Sequence, residues 1–198
     1  MLLVNYLLPI FGQHADIIGQ GFIADGYFIT ASHVLNPDSA AYIVYQGKTI
    51  SLTKETPIVN SCPPMENGIV NLDETSPADV AVFNFKGVSS PLHLSEYVPS
   101  KGEELLSLCV FDNHNNTIFS AEPGEVIEEY VLTEKRGVTM QERAGNYYGC
   151  VINRRGASSG SPLLIGNEVV GIMHGGHDND ICVCLSAKAV IDLLKSKL

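Results

Sequence analysis

The stretch Gly21-Phe22-Ile23-Ala24-Asp25-Gly26-Tyr27-Phe28-Ile29-Thr30 carries the first decision about the fold. Two runs of apolar, β-favouring residues flank Asp25-Gly26, a dipeptide that supplies the two positive-φ positions of a tight hairpin turn. Similar short runs recur at Tyr42 to Tyr45, Val80 to Phe85, Leu105 to Phe111, Tyr147 to Ile152, Leu163 to Ile165, Glu168 to Met173 and Ile181 to Leu185, divided by Gly, Pro, Asn and Asp. Strands at that spacing, with little helical periodicity between them, predict an all-β sandwich or barrel. One helix is predicted at the end. Ser186 is a good N-cap, Ala187, Val190, Leu194 and Leu198 recur on one face, and Lys195 and Lys197 suit the negative end of the helix dipole. A segment from Lys86 to Glu104, rich in Gly, Pro and Ser, reads as a connector between two strand-rich halves. Loops are expected at Ser61 to Glu66, Asp112 to Asn116 and Glu122 to Arg136.

Composition limits the partners. The 198 residues are 45% hydrophobic and 17% charged, which suits a globular chain of one domain or two small ones sharing a core. Twelve basic and twenty-two acidic residues give a net charge of −10, so phosphate backbones and anionic lipid heads are repelled at long range. Neither nucleic acid nor membrane is an expected partner. Five cysteines, an odd number without the density of a disulfide scaffold, read as reduced thiols. The apolar start lacks a basic first region and a small-residue cleavage site, so it reads as a strand rather than a signal peptide, and a cytoplasmic location is expected. No run of about 18 apolar residues predicts a membrane-spanning helix.

Three segments can do chemistry. They are Phe28-Ile29-Thr30-Ala31-Ser32-His33-Val34, Pro77-Ala78-Asp79-Val80-Ala81-Val82-Phe83 and Gly156-Ala157-Ser158-Ser159-Gly160-Ser161-Pro162. A serine hydroxyl attacks at neutral pH only if a histidine takes its proton, and that histidine needs a carboxylate to fix its tautomer and stabilise the imidazolium. Each segment supplies one of these groups beside an apolar strand. Singly, each has a plain structural reading, as a turn serine, a satisfied histidine and a capping aspartate.

Together the segments resemble the chymotrypsin-like serine proteases, which carry Thr-Ala-x-His, Asp-Ile/Val-Ala-Leu/Val and Gly-x-Ser-Gly-Gly/Ser-Pro in this order. The separations are 46 residues from His33 to Asp79 and 80 from Asp79 to Ser159. The likeness runs from about Gly19 to the terminal helix. It implies two six-stranded antiparallel β-barrels: residues 1–90 carrying His33 and Asp79, 91–185 carrying Ser159, and a C-terminal α-helix at 186–198. It also implies a serine endopeptidase that needs no cofactor or metal, with His33, Asp79 and Ser159 catalytic and the N–H groups of Ala157 and Ser159 as oxyanion hole. By the same resemblance Asn153, Arg154, Met173, His174, Gly175 and Gly176 line the substrate site. The expected partner is a polypeptide substrate, and the protein is expected to act as a monomer or small homo-oligomer, or as part of a larger protease-based system.

The departures from the pattern matter. Ser158 stands where many relatives have the aspartate that pairs with a newly cut N-terminus, so the resemblance is to bacterial or viral members that fold directly to an active form. Ala157 stands where glycine is usual, and its Cβ resists the backbone conformation that aims its N–H into the hole. Met173 occupies the slot of the specificity histidine of glutamate- and glutamine-cutting relatives, and His174, one later, faces the other way, which allows a contact with Asp79. Arg154 and Arg155, half of the four arginines, sit beside the presumed pocket and favour an acidic or amide side chain before the cut. Three alternatives stay open: an inactive peptide-binding module, a structural β-protein whose motifs coincide, and Cys150 as a rival nucleophile. His174, His177, Cys182 and Cys184 read either as zinc ligand types or, for the cysteines, as core thiols.

Overall fold

The computed structural model describes residues 3–35, 40–53, 55–63, 65–66, 69–70, 77–113, 116–127, 129–134, 137–142, 146–153, 156–176 and 181–197. The hairpin is as read: Asp25 and Gly26 have φ of 49° and 79°, and Ala24 pairs with Tyr27. After a short 3₁₀ turn, Leu3–Tyr6, the chain enters a seven-stranded sheet in the order Lys48–Ser51, Tyr42–Tyr45, Leu7–Phe11, Ile17–Ala24, Tyr27–Thr30, Val80–Asn84, Val59–Ser61. This sheet curls into a half-barrel around Ile10, Phe22, Phe28, Ile43 and Val82, all essentially inaccessible to solvent.

The second sheet closes. Its six strands run Glu168–Gly176, Pro162–Ile165, Glu104–Asn113, Asn116–Ile127, Tyr147–Ile152 and Ile181–Ser186, and the last pairs back with the first. A short seventh, His93–Leu94, lies parallel on its edge. Closure leaves an interior filled by Val126, Tyr148, Cys150, Leu163, Met173, Cys182 and Cys184. The architecture is therefore the expected double barrel, with one barrel closed on six strands and its partner open among the described residues.

Two local expectations are corrected. Glu122 to Ile127 is strand, not loop, and Glu129–Glu134, paired with Gly137–Glu142 just beyond, occupies much of the rest of that segment. Pro123-Gly124 imitates a turn in sequence, but it lies opposite Leu105 and Leu106, and Gly124 leaves room for Ile152, which an added Cβ would meet at 2.3 Å. The helix is Ala187–Lys197, with Ala187, Ala189, Val190 and Leu194 buried against the β-body. Its expected cap is positional only, because the Ser186 hydroxyl is buried without a hydrogen-bond partner among the described residues; Leu198 lies outside them. No described helix is long and apolar enough to cross a membrane.

The barrels share their packing. One buried cluster runs from Leu7 and Phe22 through Leu108, Val110 and Tyr147 to Val190 of the helix. The connector is pinned to the first hairpin, where Asp25 accepts hydrogen bonds from the Leu94 N–H and from His93 Nδ1, both at 2.8 Å. Deeper, the wholly buried Gln20 crosses between barrels. Its Nε2 donates to the Ala157 carbonyl at 2.9 Å, and its Oε1 accepts from the Val110 N–H at 2.8 Å. Gln20→Leu keeps the bulk and strands both partners. Each unpaired buried group costs about 1–3 kcal/mol, so urea unfolding should show a loss of about 2–6 kcal/mol, and an unchanged midpoint would refute this coupling.

Candidate active site

Strand pairing brings two of the predicted groups together. Thr30 lies opposite Ala81, so the 3₁₀ turn Ser32–Val34 after one strand meets Asp79 just before the other. Asp79 is almost fully buried. Its Oδ1 accepts the His33 backbone N–H at 3.0 Å, and its Oδ2 accepts His33 Nδ1 at 2.5 Å. A carboxylate can only accept, so an imidazole proton sits on Nδ1, and in the neutral ring Nε2 keeps its lone pair.

The other barrel supplies two more contacts. His174 Nδ1 donates to the same Oδ2, and the His33 and His174 rings meet edge to face with centroids 5.1 Å apart. Tyr147 clamps the backbone: its hydroxyl accepts the Asp79 N–H at 2.8 Å and donates to the Pro77 carbonyl at 2.9 Å. Burial alone would raise the Asp79 pKa, but the hydrogen bonds from His174 and His33 outweigh it and hold the carboxyl well below the usual carboxylate range. Burial and the nearby Asp79 charge raise the Tyr147 phenol well above its ordinary value.

Ser159 sits in a tight turn. The Ser161 N–H bonds the Ser158 carbonyl at 3.0 Å, and the Ser159 carbonyl accepts the Gln20 N–H at 3.0 Å. Gly160 at φ +89° is required here, since a Cβ would lie 1.9 Å from the Gln20 carbonyl oxygen. The Ser159 hydroxyl donates to the His174 carbonyl at 3.1 Å, so its single proton is not aimed at His33 in this conformation. Ala157, expected to resist, adopts φ +61°, the left-handed region. Among the described residues no acceptor takes the N–H of Ala157 or Ser159.

The substrate-site residues divide. Asn153 is exposed and Arg154, like Arg155, lies outside the described residues. Met173 is wholly buried in the closed barrel, which removes its side chain from any substrate site. The His174 side chain turns to Asp79, leaving only its backbone toward Ser159. Gly175, where an added Cβ would meet nothing within 4 Å, borders open space, and Gly176 continues that strand.

The cysteines fall mainly as core thiols. Cys109, Cys150, Cys182 and Cys184 are buried, and Cys150 and Cys184 lie 2.9 Å apart between sulfurs. Burial, then Cys150, pushes the Cys184 thiol well above its ordinary pKa. His177 lies outside the described residues. Cys62 is exposed beside Asp79 and Ser32, where burial of the sulfur and the Asp79 charge push its thiol up to about 11. Gln20, Tyr147 and Cys62 carry no sequence signal for their places here, because pairing and packing alone bring them to the site.

No protein-family model and no curated protein sequence matches the chain. Solved structures do. The active form of the Rv3671c protease from M. tuberculosis aligns with a TM-score of 0.65 at 17% identity, over 98% of this chain and 81% of that one. Neuropsin, a serine protease of mouse brain, aligns at 0.63 and 14% identity over 97% and 93%. The serine protease domain of the Sesbania mosaic virus polyprotein aligns at 0.58 and 14% identity over 95% and 91%. The chain has the chymotrypsin-like fold. Where the two barrels pack, Asp79 is shared by His33 and His174, and the Ser159 hydroxyl bonds the His174 carbonyl.

Two expectations follow from this geometry. Left-handed Ala157 carries a strain of about 1–2 kcal/mol that glycine relieves, less about 0.5–1 kcal/mol for glycine's freer unfolded chain. Ala157→Gly should therefore gain up to about 1 kcal/mol in urea unfolding, and a loss would contradict the assignment. For Asp79, whose folded pKa is depressed, the stabilisation is present above its ordinary value of about 4 and is lost as pH falls through the folded value. The stability difference between wild type and Asp79→Asn should shrink steadily as pH drops below about 4, and a pH-independent difference would contradict it.

Proposed function

We propose that the protein is a serine endopeptidase. The observation that supports this most is that Asp79 joins His33 of its own barrel to His174 of the other, whose carbonyl accepts the Ser159 hydroxyl from the turn where Gly160 is sterically required. Asp79, ionised and triply hydrogen-bonded, holds His33 with Nε2 free. A rotation of the Ser159 hydroxyl from the His174 carbonyl to that nitrogen completes the relay. His33 then takes the Ser159 proton as the oxygen attacks the scissile carbonyl, and returns it to the leaving amine. The Ala157 and Ser159 N–H groups stabilise the oxyanion, each worth about 10²–10³ in rate. Water, activated by His33, releases the acyl group.

The substrate is an extended polypeptide. On the Ser159 side the backbone bonds of Glu168–Gly176 run as far as Met173, which pairs with Ser161 and Gly160, so the backbone beyond it, from His174 to Gly176, is where an extended peptide would pair strand-like. The preference for an acidic or amide side chain before the cut rests on the sequence resemblance alone, since Arg154 and Arg155 lie outside the described residues.

The hydroxyl's bond to the His174 carbonyl favours a second reading, an inactive peptide-binding module. A fluorophosphonate probe separates the two. It should label wild type at Ser159 and leave Ser159→Ala unlabelled, with peptide libraries cut after Glu, Gln, Asp or Asn. Absence of any Ser159 adduct supports the binding module, and selective cutting after Lys or Arg overturns the specificity.

A further inference from the structure

A Ser-His-Asp relay needs one imidazole on its carboxylate, and Asp79 has two. His33 and His174 come from different barrels, yet both point Nδ1 at the same Oδ2, and the three ligand-type atoms lie within 4.8 Å of one another. We propose that His33, Asp79 and His174 form a site for a divalent transition ion such as Zn²⁺, and that the ion holds the protein inactive.

The donor set selects the ion. Two imidazole nitrogens and one carboxylate oxygen suit Zn²⁺, Ni²⁺ or Cu²⁺, whereas Mg²⁺ and Ca²⁺ want oxygen. Three protein ligands leave a fourth position for water. Bonds of 2.0–2.1 Å place tetrahedral ligand atoms about 3.3 Å apart, so the hydrogen bonds open and the imidazole nitrogens close in by up to about 1.5 Å. His33 is 19% exposed in its side chain and opens a path to the buried carboxylate.

Inactivation follows from tautomer chemistry. The ion replaces the proton on each Nδ1, and that proton reappears through solvent on the Nε2 of the same ring. Each ring stays neutral and no proton is lost. His33 Nε2, the nitrogen that must accept the Ser159 proton, is now an N–H donor. The base is removed even if no backbone atom moves. This inhibition rests on the endopeptidase reading, while metal binding at the cluster does not.

The test uses the full chain and Zn²⁺ alone, in competition with a colorimetric chelator. One ion should bind per chain, Ser159 labelling by fluorophosphonate should slow by about a hundredfold or more with the general base removed, and excess chelator should restore it. His174→Ser, which keeps a hydroxyl near Asp79, should weaken binding by about tenfold or more, whereas Cys62→Ser, which removes the nearby exposed thiol, should leave it unchanged. Long-range ¹H–¹⁵N spectra of wild type, which need no variant, should place the ion on Nδ1 of both rings. Absence of stoichiometric binding, undiminished binding in His174→Ser, loss in Cys62→Ser, or metal on Nε2 overturns the site. If the metal-free protein is never labelled, the endopeptidase reading fails while the binding and spectra still decide the metal site.

Discussion

A single buried negative charge organises this molecule. An ionised carboxylate out of water is costly unless its acceptor capacity is filled, and removing a partner from such a group is strongly destabilising. Asp79 obtains two of its donors from the His33 segment of its own barrel and a third from His174 of the other. Tyr147, also from the second barrel, holds its backbone. The charge is satisfied only when the barrels are docked, so the docked state and a correctly oriented His33 form together. Gln20 repeats the arrangement with a neutral group, tying the turn of Ser159 to the first barrel through backbone partners on both sides.

This arrangement explains the division of rigid and adjustable parts at the cleft. Asp79, Gln20 and the Gly160 turn are over-determined by hydrogen bonds and close packing. The Ser159 hydroxyl has one bond, to the His174 carbonyl, and a Cβ added at Gly175 would meet nothing within 4 Å. On the endopeptidase reading, a fixed Asp79–His33 pair beside a singly bonded Ser159 hydroxyl is what an extended substrate would complete on arrival.

Much of this was legible along the chain. The Asp25-Gly26 turn, the short strands, the terminal helix and the three motifs depend on residues near in sequence, where φ preferences and apolar patterning act directly. The expected loop from Glu122 is instead strand, because its start is paired along Glu104–Asn113 and its Gly124 is crowded by a large neighbour, Ile152. Ser186 sits at the predicted cap, yet its hydroxyl finds no partner, since burial and not capping sets that helix start.

The sequence by itself determined a β-rich double-barrel chain with a hydroxyl, an imidazole and a carboxylate in a recognisable order. Tertiary structure alone decided that Met173 belongs to a barrel core, that Ala157 accepts left-handed geometry, and that His174 shares Asp79 with His33. The reason is range. Turns and strands are written in contacts a few residues apart, but a buried charge is satisfied by whatever the closed barrels bring to it, and residues 95 positions distant meet only after both have folded.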